Sequence, residues 1–385
     1  MDKKSNTYNF DDIRPLNDNE ASAAIEELIA NKGLQEALRY ILPALDWDAL
    51  TQKMRLCQTK EQFKSSICYD LVYIVAKLTT SSLTISGENR LPQDTYTFIS
   101  NHRDIVLDAA FLNVLLYDIG HGLTQIAIGD NLMIHSWIKP LVRLNNSFIV
   151  KRNIPVRQKL EASKQLSAYI HHTIKETKES VWISQREGRA KDSNDTTQTS
   201  VLKMLTMGGE QDVLTNLMSL NIVPIAISYE YDPCDYLKAQ EFQLKRDNPD
   251  FEKSKRDDLL NMEMGILQPK GSVHFTICNP INPTLKTFPR TINKNELIVD
   301  IALVIDREIY AHYRFYPCNY VAYDMLYNTL RCSSNYDQQE KELFEAYLQQ
   351  QLDKIDIPNK DESFLRSKLL EMYSNPLKNH LDNNI

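Results

Sequence analysis

The chain has 385 residues, enough for one large domain or two smaller ones, and its 42% hydrophobic and 25% charged content is typical of soluble globular proteins. A formal net charge of −7 excludes nucleic-acid binding driven by bulk charge. We expect no membrane span, because the longest uncharged run, residues 213–229, contains Asn, Ser, Thr and Pro.

Targeting and metal-binding signals are also missing from the sequence. The N-terminal residues, MDKKSNTYNFDDIRPL, contain no apolar stretch, so we expect no signal peptide. The six cysteines form no C-x-x-C pair and no metal-like cluster with histidine. This pattern predicts a reducing, cytoplasmic compartment and no metal site.

The predicted elements change character along the chain. Residues 1–90 are predicted to form a helical N-terminal region, since apolar residues recur at helical spacing in NEASAAIEELIANKGLQEALRYILPAL and KEQFKSSICYDLVYIVAKLTTSS. Residues 91–292 alternate short apolar runs with amphipathic stretches, which predicts an α/β domain with a mixed, largely parallel sheet flanked by helices. The predicted strands are 95–100, 124–129, 147–151, 181–184, 222–228 and 273–278.

Two further segments complete the predicted organisation. Residues 238–262 are dense in charge and are predicted to form a solvated helical insertion within the α/β domain. Residues 293–385 are predicted to form a helical C-terminal extension.

Side chains that can act in catalysis or bind an anion follow directly after three of the predicted strands. His102 follows the first of them, Arg152 the third, and Arg186 to Arg189 the fourth. Sites in sheets of this kind lie at the C-terminal ends of strands, so we expect the three loops to converge on one edge.

The stretch FISNHRDIVLDAAFLN, residues 98–113, indicates acid–base chemistry. His-Arg-Asp occurs in the catalytic loop of protein kinases, but that loop requires Asn five residues after its Asp, and position 109 is Ala. A histidine beside a carboxylate is instead a suitable general base at neutral pH. The carboxylate fixes the tautomer of the ring and stabilises the imidazolium that forms.

SNHRDIVLD resembles the first sequence block of the glycerol-3-phosphate and 1-acylglycerol-3-phosphate acyltransferases, which reads N-H-x4-D after a strand. The resemblance implies that His102 deprotonates a glycerol-type hydroxyl, with an aspartate supporting the ring. That hydroxyl would attack the thioester carbonyl of acyl-CoA or acyl-carrier protein. With no Ser or Cys in the N-H-x4-D pattern, no acyl-enzyme is implied.

Three more segments resemble the later blocks of this family, in family order. NSFIVKR matches the second block through Arg152, although Asn replaces the usual Gly. SQREGRAK resembles the third block, E-G-x-R, through Glu187, Gly188 and Arg189, which implies binding of a substrate phosphate. IVPIAISYE resembles the fourth block, near the acyl or donor site, through Pro224.

The spacing in the first block departs from the family pattern. It reads H-x5-D, so Leu107 occupies the usual aspartate position. A regular helix advances about 100° per residue, so Asp108 reaches His102 only through a longer entry turn or a bulge. We favour Asp108 as the partner, because Asp104 is well placed to cap the following helix. Pairing of Asp104 with the ring is the alternative.

The third block departs as well, because it reads E-G-R. The phosphate-binding role is then shared among Arg186, Arg189 and Lys191, or the acceptor carries another polar head.

Together these residues predict an O-acyltransferase of the glycerolipid type. It would move a fatty acyl chain from acyl-CoA or acyl-carrier protein to glycerol-3-phosphate or lysophosphatidate, in peripheral contact with the inner face of the cell membrane. We expect no cofactor beyond the thioester co-substrate, no metal and no nucleic-acid partner. The predicted catalytic residues are His102 and Asp108, and the predicted substrate-binding residues are Arg152, Arg186, Glu187, Gly188, Arg189 and Pro224.

Two other functions remain open at this point. The altered third block would suit an O-acyltransferase that acts on a lyso-amino-acid lipid. The shifted aspartate would suit a catalytically degenerate family member that binds a lipid or a protein partner.

Overall fold

The computed structural model describes residues 8–92, 94–209, 211–289 and 291–383. Residues 1–7, on which the expectation about a signal peptide partly rests, lie outside these ranges. Within the described ranges, seven strands form one sheet: β1 Ser82–Ser86, β2 Thr97–Ser100, β3 Gln125–Gly129, β4 Ser147–Val150, β5 Val181–Ser184, β6 Ile222–Tyr229 and β7 Ser272–Ile277.

The strand order is β1-β7-β6-β2-β5-β3-β4. Neighbouring strands run parallel, except that β6 and β7 are antiparallel. The predicted α/β class with a mixed, largely parallel sheet is therefore confirmed. Each of the six predicted strands is present, and β1 is an additional edge strand in the segment assigned to the N-terminal helices. Its alternating residues SLTIS are only half buried and follow a helix almost directly, so they resembled a frayed helix end.

Helices surround this sheet. Those before it are α1 Asp18–Ala30, α2 Lys32–Ile41, α3 Trp47–Arg55, α4 Lys60–Phe63 and α5 Tyr69–Thr79. Those between strands are α6 Leu107–Asp118, α7 Ile138–Leu144, α8 Val156–His172, α9 Thr199–Leu205, α10 Val213–Met218, α11 Asp235–Asp247 and α12 Lys255–Leu267. Those after it are α13 Asn282–Leu285, α14 Lys294–Ala311, α15 Pro317–Tyr327, α16 Gln338–Asp353 and α17 Glu362–Asp382.

The apolar core lies on both faces of the sheet. Successive residues of a strand point to opposite faces, so Phe98 packs with α5 and α6 while its neighbour Ile99 packs with α8, α9, α10 and α14. The apolar run Ile222–Ile227 that makes up most of β6 fits the position of this strand inside the sheet, where both of its faces are covered. Helices α15, α16 and α17 form a further apolar cluster with α11.

The charged segment 238–262 is helical, as predicted, but it is solvated only in part: residues 245–250 are exposed, whereas both ends of the segment contain buried charged or polar side chains. It forms most of α11 and α12, and Lys238, Glu241 and Asn261 on these helices are buried. Lys238 pairs with Asp232, and Glu241 pairs with Lys191 in the loop after β5. Charge density indicates exposure only where the charges lack partners, and these partners come from distant parts of the chain.

No helix within the described ranges is both long enough and apolar enough to cross a bilayer.

Lys64 is a buried cation that joins the N-terminal helices to the sheet. It begins a π-helical turn, Lys64–Cys68, between α4 and α5. Its Nζ donates to the side-chain oxygen of Asn113 and to the carbonyl of Thr124, each at 2.9 Å. Neither partner is charged, and burial lowers the pKa of Lys64 to about 7.

We expect Lys64 to make stability depend on pH. An unfolded lysine keeps its proton until about pH 10.4, so between pH 7 and that value the unfolded chain binds the additional proton and stability rises with pH. From pH 7 to pH 9 the free energy of unfolding of the wild-type protein should increase by about 2 kcal/mol relative to Lys64→Met. Urea unfolding of both proteins at pH 7, 8 and 9 measures this difference, and parallel pH profiles would contradict it.

Candidate active site

His102 and Asp108 meet at the entry to α6. The chain leaves β2 at Ser100, and α6 begins only at Leu107. Nδ1 of His102 lies 2.8 Å from Oδ2 of Asp108. The Asp108 side chain is completely buried, whereas that of His102 is 12% exposed. An ionised carboxylate can only accept hydrogen bonds, so the contact places a proton on Nδ1 and leaves Nε2 as the acceptor.

The same oxygen of Asp108 binds the backbone of the entry turn. It accepts hydrogen bonds from the N–H groups of Arg103, at 2.6 Å, and Asp104, at 3.0 Å. These two backbone donors at the N-terminus of α6 fix the position of the Asp108 carboxylate. The turn thus compensates for the additional residue in H-x5-D and places Asp108, rather than Leu107, beside the ring.

Asp104 caps the helix. Its Oδ1 accepts from the N–H groups of Val106, at 2.8 Å, and Leu107, at 2.7 Å. Its Oδ2 is buried without a hydrogen-bond partner in the described residues, and it lies against Gly265 of α12. Burial, and then the neighbouring Asp108 charge, raise the pKa of Asp104. The two carboxylates therefore have separate structural roles.

Asn101, the Asn of the first block, and Trp182, to which the sequence did not point, support His102 from behind. The Asn101 amide accepts from the backbone N–H of Ile227, at 2.8 Å, and donates to its carbonyl, at 2.9 Å, which links the end of β2 to β6. The Trp182 ring lies edge-on to His102, with 5.9 Å between ring centroids, and its Nε1 donates to Ser100 Oγ at 3.0 Å. In the sequence VWIS nothing distinguishes Trp182 from an ordinary core residue.

Tyr229, at the end of β6, also faces the carboxylates. Its hydroxyl and Oδ1 of Asp108 are buried, and neither makes a hydrogen bond of good geometry to a described residue. Burial, followed by the charges of Asp108 and Asp104, raises the pKa of Tyr229 well above its usual range. The hydroxyl therefore keeps its proton and can donate toward Asp108.

The loop after β4 bends toward the loop after β5. Asp130, just after β3, accepts from the backbone N–H of Arg152 at 2.9 Å. The Arg152 guanidinium then lies 3.8 Å from the exposed carboxylate of Glu187. These contacts bring the predicted second and third blocks together.

The third block presents two incompletely paired arginines. Nη2 of Arg189 donates to the side-chain oxygen of Asn261 on α12 at 2.8 Å. Nη1 of Arg189 and Nε of Arg186 are buried without a hydrogen-bond partner in the described residues. Gly188 has φ +70° and no atom within 4 Å of the position its Cβ would take, so it allows the left-handed turn and leaves space beside the arginines.

Lys191 is placed differently from the two arginines. Its ammonium pairs with Glu241 of α11, and burial lowers the pKa of Lys191 to about 8. The described contacts thus leave Arg186 and Arg189 as the cations with free donors in this loop.

Pro224 lies inside the sheet rather than in a loop. It is buried in β6, in register with Ile99 of β2. Its neighbours Val223 and Ile225 pack toward α5 and α6, so strand alternation directs Pro224 to the opposite face. Within the described ranges, no three His, Cys, Asp or Glu side chains are grouped as ligands for a metal ion.

Comparison with known proteins finds similarity over the part of the chain that carries this site. Residues 82–228 match the family model described as Acyltransferase, which agrees with the predicted resemblance over that range. Among solved structures, the chain is similar to a 1-acyl-sn-glycerophosphate (LPA) acyltransferase, PlsC, from Thermotoga maritima. The identity is 12% and the TM-score 0.35, over 75% of this chain and 93% of that one. A comparison with curated protein sequences gives no match.

Replacement of Gly265 by Ala should destabilise the protein. An alanine Cβ there would overlap Oδ2 of Asp104, so either α12 or the cap of α6 must move. Such overpacking costs about 1–3 kcal/mol, whereas Gly→Ala in an ordinary helix stabilises by about 1 kcal/mol. The sign of the change in the free energy of unfolding, measured by urea denaturation, decides whether the contact is as close as described.

Proposed function

We propose that the chain is a glycerolipid O-acyltransferase that transfers a fatty acyl chain from acyl-CoA or acyl-carrier protein to a hydroxyl of glycerol-3-phosphate or lysophosphatidate. The observation that carries the proposal is the His102–Asp108 pair, with Nε2 free to accept a proton. It lies in the same part of the chain as two arginines whose buried N–H groups have no hydrogen-bond partner among the described residues.

His102 acts as the general base. Its Nε2 takes the proton from the acceptor hydroxyl as the oxygen attacks the thioester carbonyl, and the buried Asp108 carboxylate stabilises the resulting imidazolium. The tetrahedral intermediate collapses, the carbon–sulfur bond breaks, and the thiolate leaves. The imidazolium returns the proton to the thiolate sulfur, so the enzyme ends in its initial state without a cofactor.

The arginines of the third block bind the acceptor. A buried guanidinium N–H without a partner loses hydrogen bonds to water, and a phosphate oxygen replaces them with charge-assisted bonds. Nε of Arg186 and Nη1 of Arg189 supply two such donors. Arg152, held near the same loop by Glu187, supplies a third positive charge.

Substrates of this kind imply peripheral contact with a membrane surface. The acyl chains of the lysolipid acceptor and of the product partition into a bilayer, so the enzyme would collect and deliver them at the inner face of the cell membrane.

Thioester cleavage by the purified protein, measured with each candidate acceptor, tests the proposal. Acyl-CoA and acyl-carrier protein serve as donors; glycerol-3-phosphate, lysophosphatidate and a lyso-amino-acid lipid serve as acceptors. Turnover on only the last of these would change the acceptor class, and no turnover on any would favour a binding protein. With a phosphate acceptor, Arg189→Gln should raise the acceptor KM about tenfold or more, because one charge-assisted pair is lost.

Substitution of the pair should remove activity while the fold persists. His102→Gln and Asp108→Asn should each lower kcat by about 10²–10⁴-fold, since general-base catalysis contributes that much. Asp104→Asn is the matched control, because Asn caps helices as well as Asp does, and it should retain most of the activity. An Asp104 variant as inactive as the Asp108 variant would contradict the assigned roles, provided that circular dichroism shows both to be folded.

A further inference from the structure

Asp195 connects the loop that carries His102 to the C-terminal helices. It lies after the third block, and it is completely buried. Its carboxylate accepts from both terminal nitrogens of Arg103, at 2.8 Å and 2.5 Å, and from the hydroxyl of Tyr313. The hydroxyl of Tyr310 donates to its backbone carbonyl at 2.7 Å. Both tyrosines lie beyond the residues that match the family model.

Arg103 transmits this anchoring to the candidate base. It directly follows His102, and its N–H donates to the Asp108 oxygen that holds the ring. Its carbonyl accepts from Lys238 at 3.2 Å, and Lys238 in turn pairs with Asp232. Any shift of the Arg103 backbone would therefore move the carboxylate contact that orients the imidazole.

Asp195 also belongs to the loop that carries the two incompletely paired arginines. The C-terminal helices hold this loop at two more points. Asp306 of α14 accepts from the N–H and the hydroxyl of Thr197, at 2.8 Å and 2.6 Å, and Asn375 of α17 donates to the carbonyl of Asp192 at 2.8 Å. The buried Asp195 carboxylate thus joins both site loops to Tyr313, just after α14, and its backbone carbonyl joins them to Tyr310 of α14.

The ion pair between Arg103 and Asp195 makes the connection between the two loops rigid. A bidentate arginine–carboxylate contact has a narrow geometry, and removal of the acid would leave a buried guanidinium without its counter-charge. The loops could relieve that penalty only by moving toward water, which would separate the base from the cations.

We propose that Asp195, together with Arg103 and Tyr313, is a positioning group that sets the placement of the His102 base relative to the arginines that bind the acceptor. Helix α14 and the residues just after it, outside the family domain, are thereby part of the working site. The proposal rests on the proposed function for the roles of His102 and the arginines.

Asp195→Asn tests the proposal against Asp235→Asn, a matched control. Asp235 is equally buried, and its carboxylate accepts from the hydroxyls of Tyr347, at 2.6 Å, and Tyr373, at 2.7 Å. These bonds join α11 to the C-terminal helices and touch neither site loop directly, although the Tyr373 hydroxyl also accepts from the backbone N–H of Asp232 at 3.1 Å. Both variants should lower the melting temperature, so stability alone does not separate them.

Kinetics separate the two variants. Asp195→Asn should lower kcat about 100-fold, because a displacement of about 1 Å between the reacting groups costs that much. It should also raise the acceptor KM about tenfold, while the donor KM stays within about twofold. Asp235→Asn should change kcat, the acceptor KM and the donor KM by no more than about twofold. Equal kinetic losses in both variants would overturn the proposal.

Hydrogen exchange supplies a readout that needs no substrate. In Asp195→Asn, but not in Asp235→Asn, amides of residues 101–104 and 186–197 should exchange faster while the sheet stays protected. Wild-type protection of both loops would overturn the proposal even if activity fell. Absence of turnover by the wild-type protein would refute the proposed function separately, and exchange would still decide the positioning role.

A milder pair of variants covers the case in which Asp195→Asn does not fold. Tyr313→Phe removes one donor to Asp195 and keeps the ion pair with Arg103, whereas Tyr347→Phe removes one donor to Asp235. Faster exchange of both site loops in the first variant alone supports the proposal, and the same exchange pattern in both contradicts it.

Discussion

The geometry of the candidate site depends on one buried carboxylate oxygen. Oδ2 of Asp108 accepts from the His102 ring and from two backbone N–H groups at the start of α6. A carboxylate without water is stable only when such donors surround it, so the charge that orients the ring also requires the entry turn to keep its shape. The base, its partner and the helix start are therefore one unit.

Polar contacts from segments that are distant in the sequence hold that unit in place. Asn101 links the entry turn to β6, and Arg103 links it to the loop after β5. Lys238 of α11 donates to the backbone carbonyl of Arg103. Helix α12 closes the arrangement by packing Gly265 on Asp104 and Asn261 on Arg189. The candidate base and the arginines lie within residues 82–228, while helices on the C-terminal side of that range supply several of the contacts that hold them, which agrees with the general need of active sites for a supporting shell.

The sequence predicted most of the strands and the loops of the candidate site, but it missed several side chains that support the site. Strand positions followed from apolar runs, and the placement of His102, Arg152 and the 186–189 loop followed from strand ends, because both are local properties of the chain. Trp182 and Tyr229 were missed since each reads as an ordinary strand residue. The buried charges of α11 were taken as solvated because their partners, Lys191 among them, stand far away in the sequence.

The sequence by itself determined the class of sheet, the order of the acyltransferase blocks and the identity of the candidate base, since periodicity and motif spacing depend on neighbouring residues. Which aspartate reaches the ring was decided only by the tertiary structure. The H-x5-D spacing allows either acid, and the choice depends on where α6 begins, which Asp104 sets by capping it. Likewise, only folding could bring Asp195 to Arg103, because the pairing of buried charges is settled by which distant segments pack together, not by local preference.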